Sequence, residues 1–197
     1  LLKTRGPTHI AVAFDTSAPT QRHVDYPEYK AQREEMPEDL RAAIPMVYEM
    51  TSALNIPALK KDGYEADDLI GTLAKRYVKE GFEVYMVTPD KDFAQLVEPG
   101  IFLYKPGRQG SDAEILGVEE VKEKYALDSP EQVIDLLGLW GDSADNIPGV
   151  PGIGQKTGAK LLTQFGSIEN ILSNTDQLKG KQKENLENFG EQARLSR

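Results

Sequence analysis

The sequence predicts an α/β protein: a parallel sheet flanked by helices, followed by a helical region built around a Gly-rich joint. Three observations carry this. Short apolar runs end at acidic residues, as in His9–Phe14 before Asp15 and Val84–Thr88 before Pro89-Asp90. An amphipathic stretch separates them, the strand–helix–strand order of a parallel sheet. Beyond about residue 117 the strand-like runs stop, and short helical patterns with glycine joints take over.

The elements follow in order. The opening LLKTRGP reads as the end of a helix, and with no initial Met it leads us to expect residues upstream. His9–Phe14 is a buried strand. Residues 16–37 mix Pro, Tyr and charge with little apolar periodicity, as in a loop or mobile helical segment. From Glu38 to Leu54, apolar positions at Leu40, Ile44, Val47, Tyr48 and Leu54 predict helix, with Pro45 expected to start a second one. Asp67–Lys79 is amphipathic and Gly81 supplies its stop. Ile101–Tyr104 is a third strand. Residues 174–197 are polar and helix-prone, are expected to end in a linker, and carry no assigned chemistry.

Composition narrows the function. With 39% hydrophobic and 28% charged residues, the 197-residue chain reads as globular and soluble. No apolar run approaches a membrane span, and no signal peptide is evident. The absence of Cys excludes disulfides and thiolate metal sites and agrees with a cytoplasmic setting. Only two His are present, both near the N-terminus, so a bound metal must rely on oxygen. Neither His flanks a nucleophile elbow, so no acyl-transfer arrangement of the Ser–His–Asp kind is suggested.

The acids are placed unusually. Asp15 closes the first strand. Glu65, Asp67 and Asp68 crowd one helix start, with Glu65 and Asp68 expected on one helical face. Asp90 and Asp92 follow the second strand, where an extended chain points both carboxylates the same way. Asp142 and Asp145 stand at a helix-to-loop junction. A single acid at a helix start is ordinarily a cap, worth about 0.3–1 kcal/mol. Two carboxylates ~5 Å apart repel by roughly 3 kcal/mol at an effective dielectric near 20, so the crowding calls for a cation. All-carboxylate ligation selects a hard ion, Mg²⁺ or Mn²⁺. Setting these eight acids aside brings the net charge from -9 to -1, so other parts of the surface can still meet an anion.

Downstream, NIPGVPGIGQKTGAKLL is a Gly-rich turn that opens a helix. Such turns present backbone N–H groups to phosphate, and Lys156 and Lys160 add positive charge. The spacing is not that of a Walker A loop, and no strand precedes it. Gly152 and Gly154 lack the third glycine of a dinucleotide fingerprint. A purely structural turn is the bland alternative.

FDTSAPTQRH, EYKAQR, GYEADDLIGTLA, VTPDKDFAQLV, LLGLWGDSADNIPGVPGIGQKTGAKLL and FGSIENIL together resemble the 5′-nuclease domain of bacterial DNA polymerase I, within the flap endonuclease superfamily. The resemblance runs from about residue 7 to the C-terminus, with motifs in family order. It implies a PIN-like nuclease core over residues 1–116, with an arch segment at about 16–45, and a helical DNA-binding region over 117–197. A helix–hairpin–helix is expected there at about 130–166.

It further implies two-metal hydrolysis of DNA phosphodiesters near a 5′ flap or junction in replication and repair. The metal acids would be Asp15, Glu65, Asp67, Asp68, Asp90, Asp92, Asp142 and Asp145. Lys30 and Arg33, three apart on one helical face of the arch, would steer the scissile phosphate. Gly152, Gly154, Gln155, Lys156, Thr157 and Lys160 would contact duplex phosphates. Carbonyls near Gly149, Val150 and Ile153 would hold a monovalent cation such as K⁺. An RNA primer strand, a polymerase domain in a longer chain, and a nucleoid-associated cytoplasmic location complete the implied setting. One departure stands out: the family's opening apolar strand, ending in Leu-x-Asp-Gly, has no counterpart before Asp15. That leaves a rival reading, a DNA-junction-binding module impaired in catalysis. A PIN-type ribonuclease is a second rival, which the DNA-gripping hairpin disfavours.

Overall fold

In the computed structural model, which describes residues 2–107 and 112–197, strands and helices alternate up to Leu116 and helices alone follow. The chain divides into two units: Leu1–Glu28 with Gln32–Thr72, and Tyr29–Ala31 with Leu73–Arg197.

The first unit contains helices α1 (Leu2–Arg5), α2 (Gln21–Asp25) and α3 (Glu38–Ala53), and a parallel pair of strands, β1 (Val12–Ala13) and β2 (Ala58–Leu59). The predicted strand His9–Phe14 is thus shorter than expected, although Val12 N and Phe14 N still donate to Pro57 O and Leu59 O at 3.0 and 2.9 Å. Phe14 stacks on Tyr48 of α3 with ring centroids 4.3 Å apart, tying helix to strand. Pro45 does not begin a new helix. It lies inside a continuous α3, where both Pro45 and Arg41, whose carbonyl loses its helical donor, are exposed to water. Helix α4 (Ala66–Lys79) follows, and the division between units falls within it.

The second unit holds a three-stranded sheet. β3 (Val84–Val87) and β4 (Ile101–Lys105) run parallel, and β5 (Glu114–Leu116) pairs antiparallel with β4. Of the three strands expected from the sequence, β3 and β4 pair in parallel, whereas β1 pairs in a separate sheet with β2, a strand the sequence did not predict. β5, three residues long, carries too little pattern to read. Helices α5 (Val118–Tyr125), α6 (Gln132–Trp140), α7 (Gln155–Phe165), α8 (Ile168–Ser173) and α9 (Gly180–Ser196) complete the unit. Val133, Leu136 and Leu139 of α6 are fully buried, and α7 and α9 both pack on this helix. A Cβ on Gly158 of α7 would come within 2.8 Å of Leu136 Cδ1, so glycine permits the close crossing.

The C-terminal residues do not form the expected linker. They fold as α9, whose Leu186, Gly190 and Ala193 are buried, and Arg197 pairs with the buried Asp135 of α6 at 2.5 Å. The physical reason is a narrow stripe of small and apolar side chains within a polar segment, too sparse to stand out in the sequence.

Candidate functional site

Each unit brings together its own acids. In the first, β1 delivers Asp15, whose Oδ1 accepts the N–H of Ala66 at 2.7 Å at the start of α4. Glu65 precedes that helix, and its N–H donates to Asp68 Oδ2 at 2.9 Å. Glu65 therefore lies outside α4, and its pairing with Asp68 is a cap-like contact and not two neighbours on one helical face. Arg22 grips Asp68 with both guanidinium nitrogens, at 3.0 and 2.9 Å, and approaches Glu65 at 3.9 Å. Asp67 is exposed on the first turn of α4.

In the second unit, Asp90 and Asp92 follow β3 but do not sit on extended chain. Asp90 Oδ1 accepts the Asp92 N–H at 3.0 Å, and Asp92 opens a 3₁₀ turn through Leu96. A short acidic side chain capturing the backbone two residues on is what bends the chain there. Gly141, at φ 80°, ends α6 and lets the next turn form: Asp142 N and Ile147 N exchange hydrogen bonds with the Ile147 and Asp142 carbonyls at 2.8 and 2.7 Å. Asp142 Oδ1 accepts the Ala144 N–H at 2.9 Å. Lys91 reaches Asp142 Oδ2 at 2.5 Å and Asp92 Oδ1 at 3.7 Å, and lies over the Trp140 ring.

These groups perturb one another. Burial, and then the charge of Asp90, pushes the Asp92 carboxyl up to about 6; Lys91 opposes the rise, and Asp142 and Asp145 add to it. Burial works against the Lys91 ammonium, but the hydrogen bond to Asp142 and the surrounding carboxylates outweigh it and raise its pKa. Asp92 Oδ1 is buried with no hydrogen-bond partner among the described residues. A desolvated carboxylate oxygen left without a donor, among other carboxylates, fits a hard divalent cation. As the side chains stand, no three His, Asp or Glu among the described residues are grouped closely enough to cage an ion. Basic side chains hold several of the carboxylates instead.

Lys30 and Arg33 do not share a helical face. Both lie in the irregular chain between α2 and α3, and Lys30 is left-handed, at φ 57°. The reason is tertiary: Lys30 N donates to the Asp145 carbonyl at 3.0 Å, and its ammonium stands 3.7 Å from Asp145 Oδ2. Tyr29 is buried and its hydroxyl donates to the same oxygen at 3.2 Å.

The hairpin lies between α6 and α7. Gly149 and Gly152 take positive φ, and a Cβ on Gly154, the N-cap of α7, would meet nothing within 4 Å. Gln155, Lys156 and Thr157 form the first turn of α7, and a cavity of about 410 Å³ is lined by Lys156, Thr157, Lys160 and, from α9, Gln182. The Gln155 side chain donates weakly to the Lys124 carbonyl at 3.4 Å. Among the carbonyls expected to hold a monovalent ion, that of Gly149 accepts from Gln192 at 2.5 Å and that of Val150 from Ile153 N at 3.1 Å.

Sequence reasoning missed Arg22, Tyr29 and Lys91. The available signals were a basic residue between two acids in TPDKD and an aromatic beside Lys30.

Acids at element ends, an α/β core and a glycine-rich hairpin at a helix start are the features that the comparisons with known proteins bear on. The family described as 5′-3′ exonuclease, N-terminal resolvase-like domain, matches residues 1–126, and the 5′-3′ exonuclease C-terminal SAM fold matches residues 128–197. The chain belongs to this 5′-3′ exonuclease family of nucleases. Its relatives include DNA polymerase I of Bacillus caldotenax, 47% identical over the whole chain, and of Bacillus subtilis, 46% identical. The chain spans 22% of the length of each. Among solved structures, T5 5′-exonuclease with bound divalent metal ions (zinc) superposes with a TM-score of 0.81 at 25% identity, covering 99% of this chain and 74% of that one. A T5 flap endonuclease in a pseudo-enzyme–product complex with DNA and metal ions shares the fold, with a TM-score of 0.81 at 24% identity, covering 99% and 74%. None of these comparisons supports the binding-only module.

Proposed function

We propose that this chain is the 5′-nuclease portion of a longer DNA polymerase and hydrolyses DNA phosphodiesters near a 5′ flap or single-strand/duplex junction, using Mg²⁺ or Mn²⁺. The observation that carries the reading is the buried Asp92 oxygen that accepts no hydrogen bond among the described residues, in the field of Asp90, Asp142 and Asp145. Those four, with Asp15, Glu65, Asp67 and Asp68, are the proposed cation ligands. A divalent cation supplies an activated water and steadies the departing oxygen. Lys30 and Arg33 orient the scissile phosphate.

Gly152, Gly154, Gln155, Lys156, Thr157 and Lys160 meet duplex phosphates. The open space above Gly154 and the lysine-lined cavity beside it favour close approach by phosphate, with no code for base sequence. Binding should therefore weaken steeply with salt. Carbonyls of Gly149, Val150 and Ile153 hold K⁺ in this reading, with residues 1–116 as nuclease core and 117–197 as the DNA-gripping region. Primer RNA is a further substrate, and the bacterial nucleoid is the setting.

A flap labelled at its 5′ end tests this. Short labelled product with Mg²⁺ and none with EDTA is the expected result. Retained flap binding without cleavage in Mg²⁺ would overturn the enzymatic reading.

A further inference from the structure

From Gln21 to Leu40 nearly every residue is exposed, and Tyr29 is the only buried one. Residues Tyr29–Ala31 also belong to the second unit, whereas the chain on either side belongs to the first. Asp145 supplies three contacts to this tripeptide. Its carbonyl accepts the Lys30 N–H, and its Oδ2 takes both the Tyr29 hydroxyl, at 3.2 Å, and the Lys30 ammonium, at 3.7 Å. The ammonium also lies 4.7 Å from the Tyr29 ring centroid. Lys30 adopts a left-handed backbone, unfavourable for a residue with a Cβ, so the docked form is held under strain by these contacts.

We propose that Asp145 is a latch with two mutually exclusive partners: the Tyr29–Lys30 segment, docked as described, and a divalent cation. This rests on the reading of Asp145 as a cation ligand. Both donors converge on one carboxylate oxygen, and a hard cation taking that oxygen competes with both for it. A dication at Asp145 also repels the Lys30 ammonium, which needs the carboxylate's charge to stay. Cation binding therefore undocks the segment, relaxes the Lys30 backbone, and frees the ammonium and the Tyr29 ring to meet an incoming strand. Loading of the ion and readiness of the phosphate-steering lysine become one event.

The test needs no DNA. Amide hydrogen exchange at Lys30 is measured on the whole chain in EDTA and in saturating Mg²⁺, with calorimetry recording whether the ion binds. The expected result is exchange at least tenfold faster with Mg²⁺. Tyr29→Phe changes no charge and keeps the ring, so it should raise exchange in EDTA and tighten Mg²⁺ binding severalfold by removing a competitor. Lys30→Met supplies a second variant should Tyr29→Phe perturb folding, with tighter Mg²⁺ binding again expected. Bound Mg²⁺ with unchanged or slower exchange at Lys30 overturns the latch and leaves the cation reading standing. Absence of any Mg²⁺ binding overturns both.

Discussion

The two units differ most in what they bury. Among the described residues, every apolar side chain in the buried core belongs to the second unit, from Tyr29 to Ala193. The first buries Thr20, Thr51 and Glu65 but leaves Leu40 54%, Met46 69% and Met50 57% exposed on α3. Hydrophobic burial is the main favourable term in folding, so stability is concentrated in the unit with the helical cluster. The other contributes carboxylates and the chain flanking Lys30. The acids are also held differently: Arg22 grips Asp68 in an exposed, two-pronged pair, whereas Lys91 is half-buried among acids that disturb its neighbours' proton affinities.

Four measurements bear on that contrast, in descending order of expected effect. Leu136→Ala empties a fully buried site and should cost about 2–5 kcal/mol in urea denaturation, against roughly 0.5 kcal/mol or less for Leu40→Ala. A comparable loss from both would erase the difference between units.

Glycines give the next comparison. A Cβ at Gly149, at φ 37°, would stand 2.4 Å from the Trp140 carbonyl carbon, so Gly149→Ala must move backbone and should cost more than about 2 kcal/mol by thermal denaturation. Gly63, at φ 82°, has open space, and Gly63→Ala should cost only about 1 kcal/mol of left-handed strain.

The third concerns pH, measured in EDTA. Asp92 sits at about 6 in place of 3.8, so the folded protein holds its proton more tightly than the unfolded chain does. Stability from this group is therefore complete below about pH 4, declines as pH rises toward 6, and levels off above. With the side chain 34% exposed, solvent screening reduces the effect to roughly 1 kcal/mol. Asp92→Asn should flatten the slope.

The smallest effect is expected from Arg22→Ala. The Arg22 side chain is 46% exposed, so its loss should cost no more than about 1 kcal/mol by chemical denaturation.

Much of the architecture was legible because period and punctuation are local properties. β3, β4, α4 and the α6–hairpin–α7 arrangement all lie where apolar runs, amphipathic stretches and glycines put them. The failures have different causes, solvent exposure at one and distant contacts at others. Pro45 stays within α3 because water reaches the backbone there. Lys30 leaves helical geometry because Asp145, over a hundred residues away in sequence, captures it. α9 is a packed helix because α6 offers its few small residues a surface. The acid positions were readable from their places at element ends; the basic groups seated on them were not, since ion pairing between remote segments leaves no periodic trace.

Residue type and spacing alone were enough to specify an α/β core with acids at element ends and a glycine-rich turn opening a helix, because strands, helix starts and glycine turns follow from nearest-neighbour sterics and hydrogen bonding. The nuclease family was legible only through the resemblance of its motifs. Which carboxylate loses its water, which ammonium pairs with it, and where Tyr29 docks depended on segments far apart in the chain meeting in space. Burial and Coulomb interactions act through distance and dielectric, and neither is recorded in the order of the residues.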